Sequence, residues 1–191
     1  MNIVQIGACI GSDDLTSLIG NSQPELLVLV EPMVLHNQKL LECYSHVEHK
    51  EIENSAITVG DQEDTILYYH VDDGPLYEVT NVTIPHITKH GYDIQGIREL
   101  SVKSLTINKL FEKYRLSHID ILFMDTEGTD DVLIKSIDFE RFHIDQIFFE
   151  NIHLTQPDIY EFLESKGYEI IRHWGYEGWT SVAKISPGKN I

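Results

Sequence analysis

Basic residues are scarce in this chain: 14 Lys and Arg stand against 31 Asp and Glu, a formal net charge of −17 with the histidines neutral. The acids run through the whole sequence rather than forming a tail, so the surface repels phosphate backbones and anionic headgroups. Nucleic acid and membrane surfaces are therefore not expected as partners, and a small or neutral ligand is easier to accommodate. Long apolar runs are also missing, since no stretch of eighteen apolar residues is present to span a bilayer. Cysteine is reduced to Cys9 and Cys43, one in an expected turn and one in an expected helix, which fits reduced thiols better than a disulfide. Met1-Asn2 leads directly into Ile3–Ile6 with no basic region or cleavage site. No secretory signal is read there, and a soluble, cytoplasmic protein is expected. Without a secretory route, Asn81-Val82-Thr83 is a chance glycosylation acceptor in a polar loop.

What is present is an ordinary globular composition, 42% hydrophobic over 191 residues, which suits a single domain over 1–191. Ile3–Ile6 reads as a first strand, and after Gly11 a short helix follows with Asp13 and Asp14 in its first turn and Leu15, Leu18 and Ile19 on one face. Leu26–Val30 is a continuous apolar run of strand length ending at Glu31-Pro32, the pattern of a strand covered on both faces. A helix with Val34, Leu41, Tyr44 and Val47 buried comes next, then strands over Ile52–Val59, up to Gly60-Asp61, and over Thr65–His70. From Val71 to Ile97 turn chemistry dominates, and this long segment is expected to be a lid or acceptor-binding loop. Beyond it, Glu99–Lys103 reads as a short strand, and Thr106 caps a helix whose stripe is Ile107, Leu110, Phe111 and Tyr114. "IDILFM", Ile119–Met124, is the most apolar strand and ends in "DTEGTDD", where Thr129 can cap a helix that Asp130 and Asp131 enter as solvating acids. Ile144–Phe149 ends at Glu150, Thr155 caps a last helix through Ile159, Phe162 and Leu163, and Gly167 closes it. Tyr168–His173 and Trp179–Ile185, joined by "WGYEG", read as a terminal hairpin.

Strands alternating with helices imply an α/β fold, a mostly parallel sheet with helices on both faces and an antiparallel hairpin at one edge. Ligands of such sheets collect outside the carboxyl ends of the strands. Those ends here are Gly7–Gly11, Glu31, Gly60-Asp61, Asp125–Gly128 and Glu150–His153. Gly7 and Gly11 either cradle a ligand or let a helix pack close to a strand. Glu31 sits where an acid can accept both hydrogen bonds of a ribose diol, and Asp61 where it can accept from an adenine amine. Asp125 and Glu127 crowd negative charge beside a dry strand, an arrangement that holds a cation, holds a positively charged ligand or raises one partner's pKa.

"VQIGACIG", "VLVEP", "ITVGDQEDTILYY", "SVKSLTINKLFEKY", "IDILFMDTEG" and "IDQIFFE", in that order over essentially the whole chain, resemble the FkbM-like family of S-adenosylmethionine-dependent methyltransferases. The strongest piece is the apolar strand ending in Asp-x-Glu-Gly. The glycine turn is similar to the family's Gly-Ala-Asn-x-Gly pattern, keeping Gly7, Ala8 and Gly11, with Cys9 in place of the asparagine and Ser12-Asp13 where an aromatic residue is frequent. The resemblance implies a Rossmann-like, seven-stranded class I methyltransferase fold. It implies a turn from Gly7 through Ala8 and Cys9 to Gly11 under the methionine part of the cofactor, with Glu31 and neighbouring Pro32 at the ribose. Gly60-Asp61 would border the adenine, and Asp125 would face the methionine amino group or the reaction centre. It also points to hydroxyl acceptors on sugars, polyketides or lipids, so a base is expected from Glu127, Glu150 or His153. The alternative activator is a magnesium ion bridging Asp125 and Glu127. Tyr92, His86 and His90 are plausible acceptor contacts, and the sequence specifies no oligomeric state. Two other classes stay open at this stage. One is a nicotinamide oxidoreductase, although Gly7-x-x-x-Gly11 lacks the middle glycine of the dinucleotide fingerprint; the other is a non-catalytic cofactor-binding domain.

Overall fold

A computed structural model of the chain describes residues 1–11, 14–156, 158–175 and 178–186. The expectations for Ser12, Asp13 and the centre of "WGYEG" lie outside the described residues. In chain order the elements are β1 (Asn2–Ile6), α1 (Asp14–Ile19), β2 (Leu26–Val30), α2 (Asn37–Cys43), β3 (Lys50–Glu53), β4 (Ser55–Ile57), β5 (Asp64–His70) and α3 (Ile84–Lys89). They continue with β6 (Ile97–Leu105), α4 (Ile107–Lys113), β7 (His118–Met124), α5 (Asp130–Lys135), β8 (His143–Glu150), α6 (Ile159–Ser165), β9 (Tyr168–Trp174) and β10 (Thr180–Ile185).

Seven strands form the main sheet in the order β3-β2-β1-β7-β8-β10-β9. Neighbours from β3 to β8 are parallel, and β10 runs antiparallel between β8 and β9, so the terminal hairpin ends the sheet with β9 outermost. The alternation of side chains along the central strands supplies two cores. Val4, Ile6, Val28, Val30, Leu122 and Met124 point to one face, where they meet Leu110 and Phe111 of α4, Ile134 of α5 and Leu163 of α6. Ile3, Leu27, Leu29, Ile121 and Phe123 point to the other, under Leu15 and Ile19 of α1 and Leu40 of α2. Helices therefore cover both faces, as the apolar runs required. Among the described residues no helix is long and apolar enough to cross a membrane.

The structure departs from the sequence pattern in several places. The expected strand Ile52–Val59 is two strands broken at Asn54: β3 closes the main sheet, while β4 belongs to a separate three-stranded sheet, β4-β6-β5. In that sheet β5 pairs antiparallel with β6 and β4 pairs parallel with it, so the strands expected at Thr65–His70 and Glu99–Lys103 exist but leave the main sheet. In the second helical region Leu40 rather than Leu41 is buried, and Val34 and Leu18 are exposed. Thr106 does cap α4, accepting from the Lys109 amide. Thr129 makes no side-chain cap bond to α5, and α6 begins after Asp158 rather than at Thr155. Asp130 and Asp131 are buried rather than solvated: the Asp131 carboxylate accepts from the Thr155 amide (2.6 Å), the Thr155 hydroxyl and the Gln156 amide, tying the loop after β8 to α5. The 71–97 segment is ordered around α3 and a backbone bridge between Tyr68 and Asn81.

Candidate active site

Register decides which residues reach the ligand rim. Ile6 lies level with Val30 and Met124, Met124 with Phe149, and Val30 with Glu53. One step further on, Asn54, Glu31, Gly7, Asp125 and Glu150 therefore stand in a row across the carboxyl ends, and the chain order reverses at β1 between β2 and β7.

Gly7 begins the turn after β1 at φ +81°, with its amide and that of Ala8 donating to the Val30 carbonyl at 3.0 and 3.1 Å. A methyl group there would lie 1.8 Å from the Asp125 carbonyl oxygen, so the position admits only glycine. Gly11 closes the turn at φ +80°, with the Tyr44 ring 2.8 Å from where its Cβ would be. Cys9 is also left-handed, at φ +43°, a conformation in which asparagine is more at home, which gives the family's asparagine at this position a backbone rationale. Its thiol is pushed up to about 12, first by burial and then by the charge of Glu31.

Glu31 is the hinge pin of this floor. One carboxylate oxygen accepts from the Cys9 amide (2.9 Å) and the other from the Met33 amide (2.7 Å), while Asn54 Nδ2 donates to its carbonyl (2.7 Å). His36 Nδ1 approaches the same carboxylate at 3.3 Å. The side chain is nearly buried, yet it contributes to the wall of a cavity of about 480 Å³. Gly7, Ala8, Cys9 and Gly11 form the floor of this cavity, and Glu31, Pro32 and Met33 flank it. Ala56, Ile57 and Leu67 from the second sheet supply an apolar wall, residues 76–78 and 80–82 roof it, and Asp125, Thr126 and Glu127 close the far side. Gly60 and Asp61, expected at the adenine border, are not among the residues that line this cavity. Asp61 pairs with Lys109 on the surface, because β3 ends at Glu53 and the rim position falls to Asn54.

Beyond Glu127 the rim carries a cluster that joins three parts of the chain. Glu127 is held at φ +54° and its Oε2 lies 3.1 Å from His86 Nε2 of α3 and 3.8 Å from His153 Nδ1 of the loop after β8. His153 Nδ1 in turn lies 3.0 Å from Glu150 Oε1. The His86, His90 and His153 rings stand 4.7 to 5.2 Å apart. Burial, and then the charges of Asp125, Glu127 and Asp130, push the Glu150 carboxyl up to about 9, so it keeps its proton at neutral pH. Burial lowers the His153 pKa against the opposing pull of Glu127. Glu150 and His153 are not among the residues that line the cavity; they reach it through Glu127.

The convergent ligating group that includes Glu127 is completed by His86, His90 and His153, and Asp125, the other carboxylate of the expected magnesium pair, lines the cavity beside it. Tyr92 turns away from the cavity to Asp73 (2.8 Å) and stacks on His70. Sequence reasoning had no role for Asn81, whose Nδ2 donates to the Glu127 carbonyl (2.8 Å) and whose Oδ1 accepts from the Thr83 amide (2.8 Å). The glycosylation triplet was its only signal, and Asn81 is buried.

The family model for the methyltransferase FkbM domain matches residues 5–170. No curated protein is significantly similar in sequence. Among solved structures, a chain of a crystallised fibrillarin/Nop5p complex aligns with 96% of this chain and 71% of its own, at 9% identity and a TM-score of 0.49. The family match takes in the glycine turn, Glu31, the "DTEG" turn and the loop after β8, and on that evidence the chain belongs to the FkbM methyltransferase family.

Proposed function

We propose that this protein transfers a methyl group from S-adenosylmethionine to a hydroxyl of a small-molecule acceptor of sugar, polyketide or lipid type. The observation that carries this reading is the cavity itself, floored by Gly7–Gly11 at the point where strand order reverses and bounded by carboxylates at both ends. Its volume lies in the usual range for small-molecule sites, roughly 300–1,000 Å³. The residues fit the cofactor's chemistry: Ala56, Ile57, Leu67 and Met33 offer apolar surface to a flat base, Glu31 retains acceptor capacity beside Pro32, and Asp125 favours a cationic group. When bound, the cofactor supplies an electrophilic methyl group on a sulfonium. The chain positions the acceptor against it and takes the hydroxyl proton, and positioning contributes most of the acceleration. Glu127, the carboxylate that lines the cavity and bonds to His86, is the base in this reading. Glu150, protonated at neutral pH, orients His153 and is not a proton acceptor.

A dinucleotide fits less well, because the Cys9 amide is already bonded to Glu31 and the surrounding carboxylates oppose a pyrophosphate. Calorimetric titration of the purified protein with S-adenosylmethionine, S-adenosylhomocysteine and NAD tests the proposal. The first two are expected to bind and NAD is not. Glu31→Gln is expected to weaken binding by about 10- to 100-fold, the cost of losing a charged hydrogen-bond acceptor. Absence of S-adenosylmethionine binding, or binding indifferent to Glu31→Gln, refutes it.

A further inference from the structure

The geometry points to a divalent transition-metal site formed by His86, His90, Glu127 and His153, which latches the 71–97 segment onto the rim of the cavity. One ligating atom from each of the four residues lies within 4.8 Å of every other. Neighbouring ligands of a tetrahedral zinc ion are about 3.4 Å apart, given Zn–N bonds of about 2.0–2.1 Å. His86 Nε2 and Glu127 Oε2 are already 3.1 Å apart, and His153 Nδ1 and Glu127 Oε2 3.8 Å, so these two pairs stand close to that spacing.

Independent features support the same placement. His86 and His90 are four residues apart, at one end of α3, which puts both imidazoles on one side of that turn. Gly128, at φ +90°, lets the backbone pass where a Cβ would lie 3.1 Å from His153 Cβ and 3.7 Å from His86 Nδ1. Asn81 ties the same segment to the Glu127 carbonyl. Ligation through His153 Nδ1 replaces that nitrogen's contact with Glu150.

Three imidazoles and one carboxylate select a borderline ion such as Zn²⁺ or Co²⁺ over Mg²⁺, which requires oxygen ligands and retained water. Four protein ligands close the coordination sphere, so the site is a structural latch. Ligation through Glu127 Oε2 leaves Oε1 outside the cluster. The site stands on ligand geometry and does not depend on the methyltransferase reading.

The test uses the full chain stripped with EDTA and titrated with Zn²⁺, Co²⁺ and Mg²⁺ by calorimetry and visible absorption. One Zn²⁺ or Co²⁺ per chain is expected, with the intense visible bands of four-coordinate Co²⁺, and no binding of Mg²⁺. His90→Ala, at an exposed ligand, should weaken Zn²⁺ by more than about ten-fold. His86→Ala/His90→Ala should abolish binding, while the paired variant His118→Ala/His143→Ala, at a separate histidine–aspartate group at the amino ends of β7 and β8, should keep it. Circular dichroism and Tm in EDTA establish that each variant is folded. Absence of Zn²⁺ and Co²⁺ binding, retention in the His86/His90 pair, or loss in the His118/His143 pair overturns the latch. S-adenosylmethionine titrated in EDTA separates this outcome from failure of the proposed activity.

Discussion

Replacing Gly7 by alanine asks the glycine turn for something it cannot give. Two penalties add at this position. An L-residue in the left-handed region costs about 1–2 kcal/mol, and Gly7 lies at φ +81°. The added methyl would also sit 1.8 Å from the Asp125 carbonyl oxygen, deep inside contact distance. That oxygen cannot retreat freely, because the Asp125 amide donates to the Ile6 carbonyl (3.0 Å) and the Gly7 amide is held by Val30 on the opposite side. Forced overpacking of this kind costs a further ~1–3 kcal/mol. The combined loss, roughly 2–5 kcal/mol, is a large part of the stability of an ordinary domain and lowers Tm by roughly 4–20 °C for a chain of this size. Gly91→Ala is the matched control: Gly91 has φ +91° but no atom within 4 Å of its Cβ position, so it carries the backbone penalty alone. Thermal unfolding of the two variants, with S-adenosylmethionine titration of each, separates strain from collision. Gly7→Ala should be clearly the less stable of the two and should lose ligand affinity. Equal Tm values with unchanged binding would refute the reasoning that β1 and β7 clamp this turn.

Two further outcomes follow from buried polar groups. Burial, reinforced by the charge of Asp125, pushes the Asp130 carboxyl up to about 8, whereas in the unfolded chain it ionises near the ordinary aspartate value of 3.8. Between these values the folded state binds this proton more readily than the unfolded one, so the contribution of Asp130 to stability falls as pH rises from 4 to 8. Asp130→Asn should flatten that decline in urea titrations at pH 5 and pH 8, with Glu150 leaving a residual slope of the same sign; an unchanged slope sinks the assignment. Asn81→Ala removes the bond to the Glu127 carbonyl and two acceptances from Thr83, and should cost about 1–3 kcal/mol and speed proteolysis within 71–97. Wild-type cleavage rates in that segment would show that Asn81 does not hold it.

Local patterns in the sequence carried the central architecture because burial on two faces leaves a one-dimensional trace. Leu26–Val30 is an uninterrupted apolar run, Ile3–Ile6, Ile119–Met124 and Ile144–Phe149 are mostly apolar runs broken by Gln5, by Asp120 and by Asp145-Gln146, and the residues that end them, Gly7, Glu31, Asp125 and Glu150, are polar or glycine. Because these strands are parallel and in register, those ends stand in one row. The same logic failed where an apolar run changed partners. Ile52–Val59 looks continuous, but Asn54 bonds Glu31 and Asn37 and turns the chain into a second sheet; pairing partners are not written in periodicity. Asp130 and Asp131 look like solvated helix-entry acids because charge at a helix start is ordinary, and only the folded packing buries both, with the loop after β8 bonded to Asp131 and the Thr126 amide to Asp130.

The amino-acid sequence by itself determined the alternating fold, the glycine turn and the acids of the rim, since each follows from residue type at a strand end. Tertiary structure alone decided that Gly60 and Asp61 stay outside the cavity and that His86, His90 and His153 meet at Glu127. Those three histidines come from segments whose order along the chain says nothing of their distance. Packing of α3 and the loop after β8 against one turn brings them together.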